Sequence, residues 1–446
     1  MDRLSALSSA FLSAEDVDPE ASLVIGSFAV LEGPAPSVRE LRELVAGRLP
    51  AAPRYRQRVH RTPLDLRPLG WEDDPELDVE RHVRVMALPT PGGDREIAEL
   101  VGRVMAERMD RSHPLWDITL CEGLAEGRWG LLCRVHHALA DGVSGTALLR
   151  VLYDIPDAAT PRAVGAPVPE ASSLRRLAGA ALASTRGAFA LGAAVVPVHG
   201  PSLLGPVDGG RRYAWVSVPL DDALRDVRRQ LGVSMNDVAL SAAAAGFRAL
   251  LIHRGLEPHR RAVRSLIPVS AWAGSAVEEP DNRVTLILAD LPVHEVDAIS
   301  RVRWVHENVA RLRRAGEPAA GITAQQLLSA VPYPLLAGAT RMALRLPHHH
   351  LSTVTTNVPG PRRPISCLGR TVEQMLPYVP VADGVRIGIA MFSYCDRLTF
   401  GVTGDAHVTD LDVLVDGIRA GWDELAGSQG PHHRGPVALT GHPAPR

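Results

Sequence analysis

The sequence predicts an α+β protein built as two mixed lobes, and three observations carry that expectation. The chain has 446 residues, which at roughly 150 residues per domain leaves room for two large units or three small ones. Strand-like and amphipathic helical stretches alternate before residue 155 and again after residue 211. Between them lies a Pro- and Ala-rich segment, 156–170, with the composition of a surface linker, followed by an Ala/Gly-rich helical stretch from Ser172 to Val196. The expected division is an N-terminal lobe (1–155), a linker with a crossover helix (156–210), a C-terminal lobe (211–426) and a flexible tail (427–446), with a site between the lobes.

Taken in order, Leu4, Leu7, Phe11 and Leu12 recur at helical spacing, so the opening residues read as a short amphipathic helix. A secretory leader is the rival reading of Leu4 to Ala14, but serines dilute its apolar stretch and Asp2 stands where a basic residue belongs. Ser22 to Leu31 reads as a strand. Ser37 to Leu49 reads as a helix with Leu41, Leu44 and Val45 on one face, and Ile97, Leu100, Val101, Val104 and Met105 mark a second. Gly130 to Val135 is a short apolar strand, His136 to Gly145 a polar loop, and Thr146 to Tyr153 a helix. In the second lobe, Ser234 to His253 is a helix stopped by Gly255, Ala262 to Ser270 and Arg283 to Pro292 are strands, and Ala298 to Arg314 is a helix. Val385 to Tyr394 and Leu398 to Thr403 alternate as a hairpin about Cys395, Asp396 and Arg397, and Asp410 to Leu425 is the last helix. No uncharged apolar run of about 18 residues occurs, which argues against a membrane span.

Composition narrows the chemistry. A formal net charge of -2 offers no global field for nucleic acid. The chain has no lysine, so its 48 Lys+Arg positions are all arginine. That excludes Schiff-base and P-loop lysines, and leaves any phosphate to arginine, backbone N–H groups or helix N-termini. Cys121, Cys133, Cys367 and Cys395 are scattered without a CxxC pair, which fits buried thiols in a reducing cytoplasm better than disulfides or zinc. No H-E-x-x-H spacing occurs, and His348-His349-His350 and His432-His433 read as loop and tail histidines, so no metal is expected. Gly142-Val143-Ser144-Gly145-Thr146 approaches a nucleophile elbow but has Thr146 where the second glycine belongs. Cys133, within an apolar strand, reads as core.

The best local signal is His136-His137-Ala138-Leu139-Ala140-Asp141-Gly142. The apolar strand before it enters the loop extended, which sends neighbouring side chains to opposite faces. One histidine can then serve as a base while the other packs or hydrogen-bonds, since a neutral imidazole is suited to taking a proton from a hydroxyl. Asp141, just before a helix, can cap N–H groups or pair with an arginine, and Gly142 permits a backbone conformation that other residues resist.

These seven residues match the HHxxxDG signature of the chloramphenicol acetyltransferase and condensation-domain superfamily, and the chain as a whole resembles the bacterial wax ester synthase/acyl-CoA:diacylglycerol acyltransferase family. Further motifs support the narrower likeness: the opening Leu4 to Leu12, Pro114-Leu115-Trp116, Ser234-Met235-Asn236-Asp237-Val238, and Thr356-Asn357-Val358-Pro359-Gly360-Pro361 followed by the Ser393-Tyr394 hairpin. The likeness runs from about residue 4 to 425, with a departure at Ser202-Leu203-Leu204-Gly205, where many members carry an L-N-G turn. It implies two acetyltransferase-like lobes with a channel between them, and direct transfer of a long-chain acyl group from coenzyme A to a lipid alcohol without an acyl-enzyme. It implies His137 as general base, with His136, Asp141 and Gly142 completing the catalytic motif and Asp141 holding the loop through an arginine. Acyl-CoA is then a co-substrate and no other cofactor is needed.

Asn236 and Asn357 are the polar candidates for the substrate and oxyanion side. Ser234-x-x-Asp237 before an apolar helix is also a capping-box variant, which makes Asp237 a structural residue. Pro114, Leu115 and Trp116 read as a packing anchor, because tryptophan has no acid–base chemistry. A cytoplasmic enzyme meeting a membrane or lipid droplet is expected, and Ser172 to Val196, with Arg175 and Arg186 on one face, is either its contact or a crossover helix packed on the protein. Two alternatives stand beside the lipid reading: an acyltransferase of specialised metabolism acting on a sugar, polyketide or amine, and an inactive pair of lobes serving as a binding module.

Overall fold

A computed structural model describes residues 2–62, 68–139, 147–155, 203–270, 284–314, 351–382 and 384–427. The expected crossover helix Ser172 to Val196, the tail, Asp141, Gly142, Ser144 and both histidine runs lie outside the described residues. Fifteen strands are β1 (Asp2–Arg3), β2 (Val24–Leu31), β3 (Gln57–His60), β4 (Gly70–Asp73), β5 (Val83–Ala87), β6 (Trp116–Glu122), β7 (Trp129–His136), β8 (Arg211–Pro219), β9 (Arg264–Ser270), β10 (Val284–Asp290), β11 (Thr353–Pro359), β12 (Ser366–Cys367), β13 (Arg370–Tyr378), β14 (Ile387–Tyr394) and β15 (Arg397–Asp405).

They form two six-stranded sheets, β12-β13-β2-β7-β6-β5 and β10-β9-β11-β14-β15-β8, and a small sheet β1-β4-β3. In the first sheet β7 is central, buried at every position, and antiparallel to both β2 and β6. Such a strand reads in sequence as a continuous apolar run, because neither face meets water. Apolar layers cover both faces: Leu41, Val45, Trp116 and Leu131 on one, Ile97, Val101, Val104 and Phe28 on the other. The second sheet packs against Met235–His253, Ala298–Arg314 and Leu411–Ala426 around Phe247, Phe400 and Trp422. Among the described residues Met235–His253 is the one helix long and apolar enough to cross a membrane; 67% of that stretch is buried within the second lobe.

The linear division does not map onto the sheets one to one. Residues 366–378 fall in the expected C-terminal lobe, yet β12 and β13 belong to the first sheet, where β13 runs antiparallel to β2. The two-residue turn Leu368-Gly369, with φ of 51° and 75°, closes the β12–β13 hairpin; such positive φ values suit a tight hairpin and explain the glycine. Where β13 leaves the first sheet it presses on the second: a Cβ at Gly401 would lie 1.9 Å from the Pro377 carbonyl, and Tyr213 Oη donates to that carbonyl at 2.8 Å. Gln374 Nε2 donates to Ser217 Oγ at 2.9 Å across the same seam.

Candidate active site

The histidine motif begins where the ladder of β7 runs out. His136 N–H donates to the Leu115 carbonyl at 3.0 Å, on the β6 side, and His137 N–H donates to the Leu23 carbonyl at 2.9 Å, on the β2 side. The pair is therefore held by backbone from both neighbouring strands. Leu115 earns its place in Pro114-Leu115-Trp116 through that carbonyl. Trp116, 2% exposed, donates Nε1–H to the Tyr55 carbonyl at 2.7 Å and stacks on His82 at 4.4 Å. All three residues of this motif are buried, as a packing anchor should be.

The two imidazoles face different surroundings. His136 is fully buried. Its Nδ1 accepts the Ala138 N–H at 3.0 Å, so the neutral ring carries its proton on Nε2. That nitrogen lies 3.1 Å from Glu15 Oε1, an electrostatic contact at hydrogen-bond distance whose angle falls outside that of a good hydrogen bond. With one nitrogen occupied and the other against a carboxylate, His136 is unavailable as a base.

His137 is deeply recessed but keeps solvent-accessible surface. Its ring lies 4.0 Å from the Phe11 ring, centroid to centroid, at an interplanar angle of 33°. Burial pushes its pKa down to about 4, and the neighbouring His136 adds to the shift, so the ring is neutral at physiological pH. A neutral, accessible imidazole can take a proton from a hydroxyl.

Both histidines are served by one helix, Ala6–Val17, which Ser5 caps by accepting the Ser8 N–H. Phe11 and Glu15 stand four residues apart on it and so share a face. Glu15, 1% exposed, accepts the Leu23 N–H at 2.7 Å and a hydrogen bond from Arg111 Nη2 at 2.9 Å. Burial raises its pKa, but His136, Leu23 and Arg111 together outweigh that and hold the carboxyl at about 2. Arg111 also donates to the Leu12 carbonyl and to Asp16, fastening the helix. Sequence reasoning missed Glu15 and Arg111. The only signal is a charged residue on the inward face of an otherwise apolar helix.

The second lobe supplies a separate polar cluster. Ser234 and Asp237 form the capping box of Met235–His253, confirming the structural role expected of Asp237. Asp237 Oδ2 also faces His306 Nδ1 at 2.9 Å. Asn357, near the end of β11, donates from Nδ2 to Asn236 Oδ1 at 3.2 Å. The two asparagines therefore meet each other, whereas among the described residues His137 meets Phe11 and Leu23. Cys133 is excluded as a nucleophile, because burial pushes its thiol far up. Among the described residues no group of three or more His, Cys, Asp or Glu side chains is placed to hold a metal.

Comparison with known proteins places the chain in a family. Residues 4–200 match the wax ester synthase/diacylglycerol acyltransferase catalytic domain, and 281–426 match the WS/DGAT C-terminal domain. A probable diacylglycerol O-acyltransferase of Mycobacterium tuberculosis is 39% identical over 94% of this chain and 94% of its own length. The wax ester synthase/diacylglycerol acyltransferase from Marinobacter aquaeolei VT8 superposes with a TM-score of 0.68 at 25% identity, covering 96% of this chain and 100% of that one. The starter condensation domain of rhizomide synthetase, 17% identical, covers 96% of this chain and 94% of its own with a TM-score of 0.57 and shares the fold alone. The chain belongs to the wax ester synthase/diacylglycerol acyltransferase family, whose substrates are in general acyl-CoA and a lipid alcohol, and it is an acyltransferase.

Proposed function

We propose that the chain transfers a long-chain acyl group from coenzyme A directly to the hydroxyl of diacylglycerol or a fatty alcohol, giving triacylglycerol or wax ester, with His137 as general base. The observation that carries this reading is the contrast between the two histidines. His136 is locked to Glu15 and Ala138, while His137 is neutral and accessible.

His137 takes the hydroxyl proton as the oxygen attacks the thioester carbonyl carbon. The resulting oxyanion collapses, the C–S bond breaks, and the imidazolium returns its proton to the departing thiolate. Holding both substrates at one base makes the encounter effectively unimolecular. The Asn357 bond to Asn236 Oδ1 orients the Asn236 amide and leaves its N–H groups as donors for developing negative charge. Asp141 and Gly142 lie outside the described residues, and their part in steadying the loop rests on the motif alone. No cofactor beyond the acyl-CoA co-substrate enters the scheme. The acceptor's apolarity implies delivery from a membrane or lipid body on the cytoplasmic side, with peripheral contact.

The test is purified protein with palmitoyl-CoA against diacylglycerol, hexadecanol, sugars and amines, following thiol release and identifying the product. An ester of the lipid alcohol is expected, and His137→Ala should lower its rate by roughly 10² to 10⁴ without loss of fold. An amide or sugar ester would redirect the assignment to specialised metabolism, and no release from any acceptor would favour a binding module.

A further inference from the structure

We propose that the cleft between the helix Asp94–Ala106 and the start of β8 receives the phosphate-bearing nucleotide end of the acyl-CoA donor. This rests on the acyl-CoA reading given above and places one end of that substrate on named residues. The cleft has a volume of about 570 Å³ and lies at the seam of the two lobes. The helix and β8 approach closely there because Gly102 has no side chain; a Cβ on it would sit 2.6 Å from the Arg211 carbonyl oxygen.

Three arginines line the cleft: Arg103, Arg211 and Arg212. In a chain without lysine these are the cations that a phosphate would meet. Arg103 is exposed and has no carboxylate partner among the described residues. Arg211 is 8% exposed, and its Nη groups donate to main-chain carbonyls, among them Gly210 and Glu20, both at 2.9 Å. Its Nε has no hydrogen-bond partner among the described residues. A buried guanidinium held by main-chain carbonyls is a place where an anion gains charge-assisted hydrogen bonds.

Four carboxylates oppose them: Glu99, paired to Arg95 at 3.1 Å, Glu107 on the lining, and Glu20 and Asp208, whose side chains sit against the lining Gly209 and Gly210. Three carbonyls at the helix C-terminus, whose dipoles would repel an anion, are engaged: those of Val104 and Glu107 accept from Arg134, and that of Met105 accepts from Ser22 Oγ at 3.2 Å.

Shape and position favour a nucleotide over a lipid headgroup. Ala98, Ala106 and Ala406 give the cleft small, flat walls that leave room for a planar base, and a concave seam is poorly placed to press on a bilayer. Ser22 Oγ also reaches the Glu107 carbonyl at 3.3 Å, and the next residue, Leu23, accepts the His137 N–H. The rim of the cleft is thus tied, through two neighbouring residues, to the histidine.

The experiment compares the wild type with Arg103→Ala, Arg103→Glu and the cleft-filling Ala406→Trp, each checked by thermal melting. Calorimetric affinity for coenzyme A should fall about tenfold in Arg103→Ala and further in Arg103→Glu, the worth of a charge-assisted contact. KM for palmitoyl-CoA should rise in step with kcat unchanged, whereas palmitoyl-pantetheine, which lacks the nucleotide, should be used equally by all the proteins. Unchanged coenzyme A affinity in both Arg103→Glu and Ala406→Trp overturns the assignment. So does a loss of binding to phosphatidylglycerol vesicles with coenzyme A affinity intact, which would make the cleft a lipid-headgroup site. A wild type that binds coenzyme A through these residues but releases no thiol would sink the acyltransfer proposal and leave this one standing.

Discussion

Glu15 lies 3.1 Å from His136 Nε2 in the interior of the first lobe, although the two belong to elements at opposite ends of that lobe's sequence. The contact makes the N-terminal helix part of the candidate active site. It fixes the proton of His136 on one nitrogen and, through Phe11 on the same helix face, walls the ring of His137.

Removing the carboxylate should therefore be costly. Glu15→Ala leaves the buried His136 Nε2 without its facing carboxylate and Arg111 with Asp16 as its remaining ion-pair partner among the described residues, and a buried polar group left unsatisfied costs about 1–3 kcal/mol. The milder Glu15→Gln should retain the fold and expose a linkage. The folded carboxyl titrates at about 2 rather than at its ordinary 4.5, so its stabilisation is present above pH 4.5 and is lost as pH falls through 2. Denaturant melts across that window should slope steeply for the wild type and less for Glu15→Gln. Parallel curves would dissolve the claim.

The pH profile of the reaction follows from the burial of His137. Its folded pKa of about 4, against an ordinary 6.5, keeps the base form populated well below neutrality. The acid limb of kcat/KM should fall near pH 4. Stability should decline as pH drops from 6.5 to 4, because over that range the unfolded chain takes up a proton that the folded one refuses. A rate limb at 6.5 would mean that the imidazole is fully hydrated in the free enzyme.

Asn236 and Asn357 should behave as a unit. Their 3.2 Å bond predicts that Asn236→Ala and Asn357→Ala are not additive in kcat/KM. The double variant should lose about 1 kcal/mol less than the sum of the singles. Strict additivity would show that the bond has no part in positioning either amide.

Trp116→Ala tests the anchor. It removes a fully packed indole, its hydrogen bond to Tyr55 and its stack on His82, at a cost of about 3–5 kcal/mol. Molecules still folded at low temperature should turn over at rates close to wild type. A catalytic collapse without destabilisation would give the tryptophan a chemical role.

Elements whose signal is local were legible in the sequence. Ala298–Arg314 forms over the span its periodicity marks, and Ser234 and Asp237 cap their helix as the spacing indicates. The different surroundings of His136 and His137 follow from strand alternation at the end of β7. Strands whose partners lie far away were harder to see. β5, β8 and β13 carry charged residues such as Arg84, Arg211, Arg212 and Glu373, which break the apolar pattern that marks a strand. The pairing of Glu15 with His136 left only a charged residue on an apolar helix face as its mark, because the contact arises when a helix and a strand distant in sequence pack together.

The hairpin of residues 366–378 has a last consequence. A polypeptide severed near residue 360 would strand its leading half without the outer rim of its own sheet, and β2 would be left with an open edge inviting aggregation. Neither portion should survive as an autonomous folding unit. Heat or denaturant should accordingly dismantle the molecule in one cooperative step.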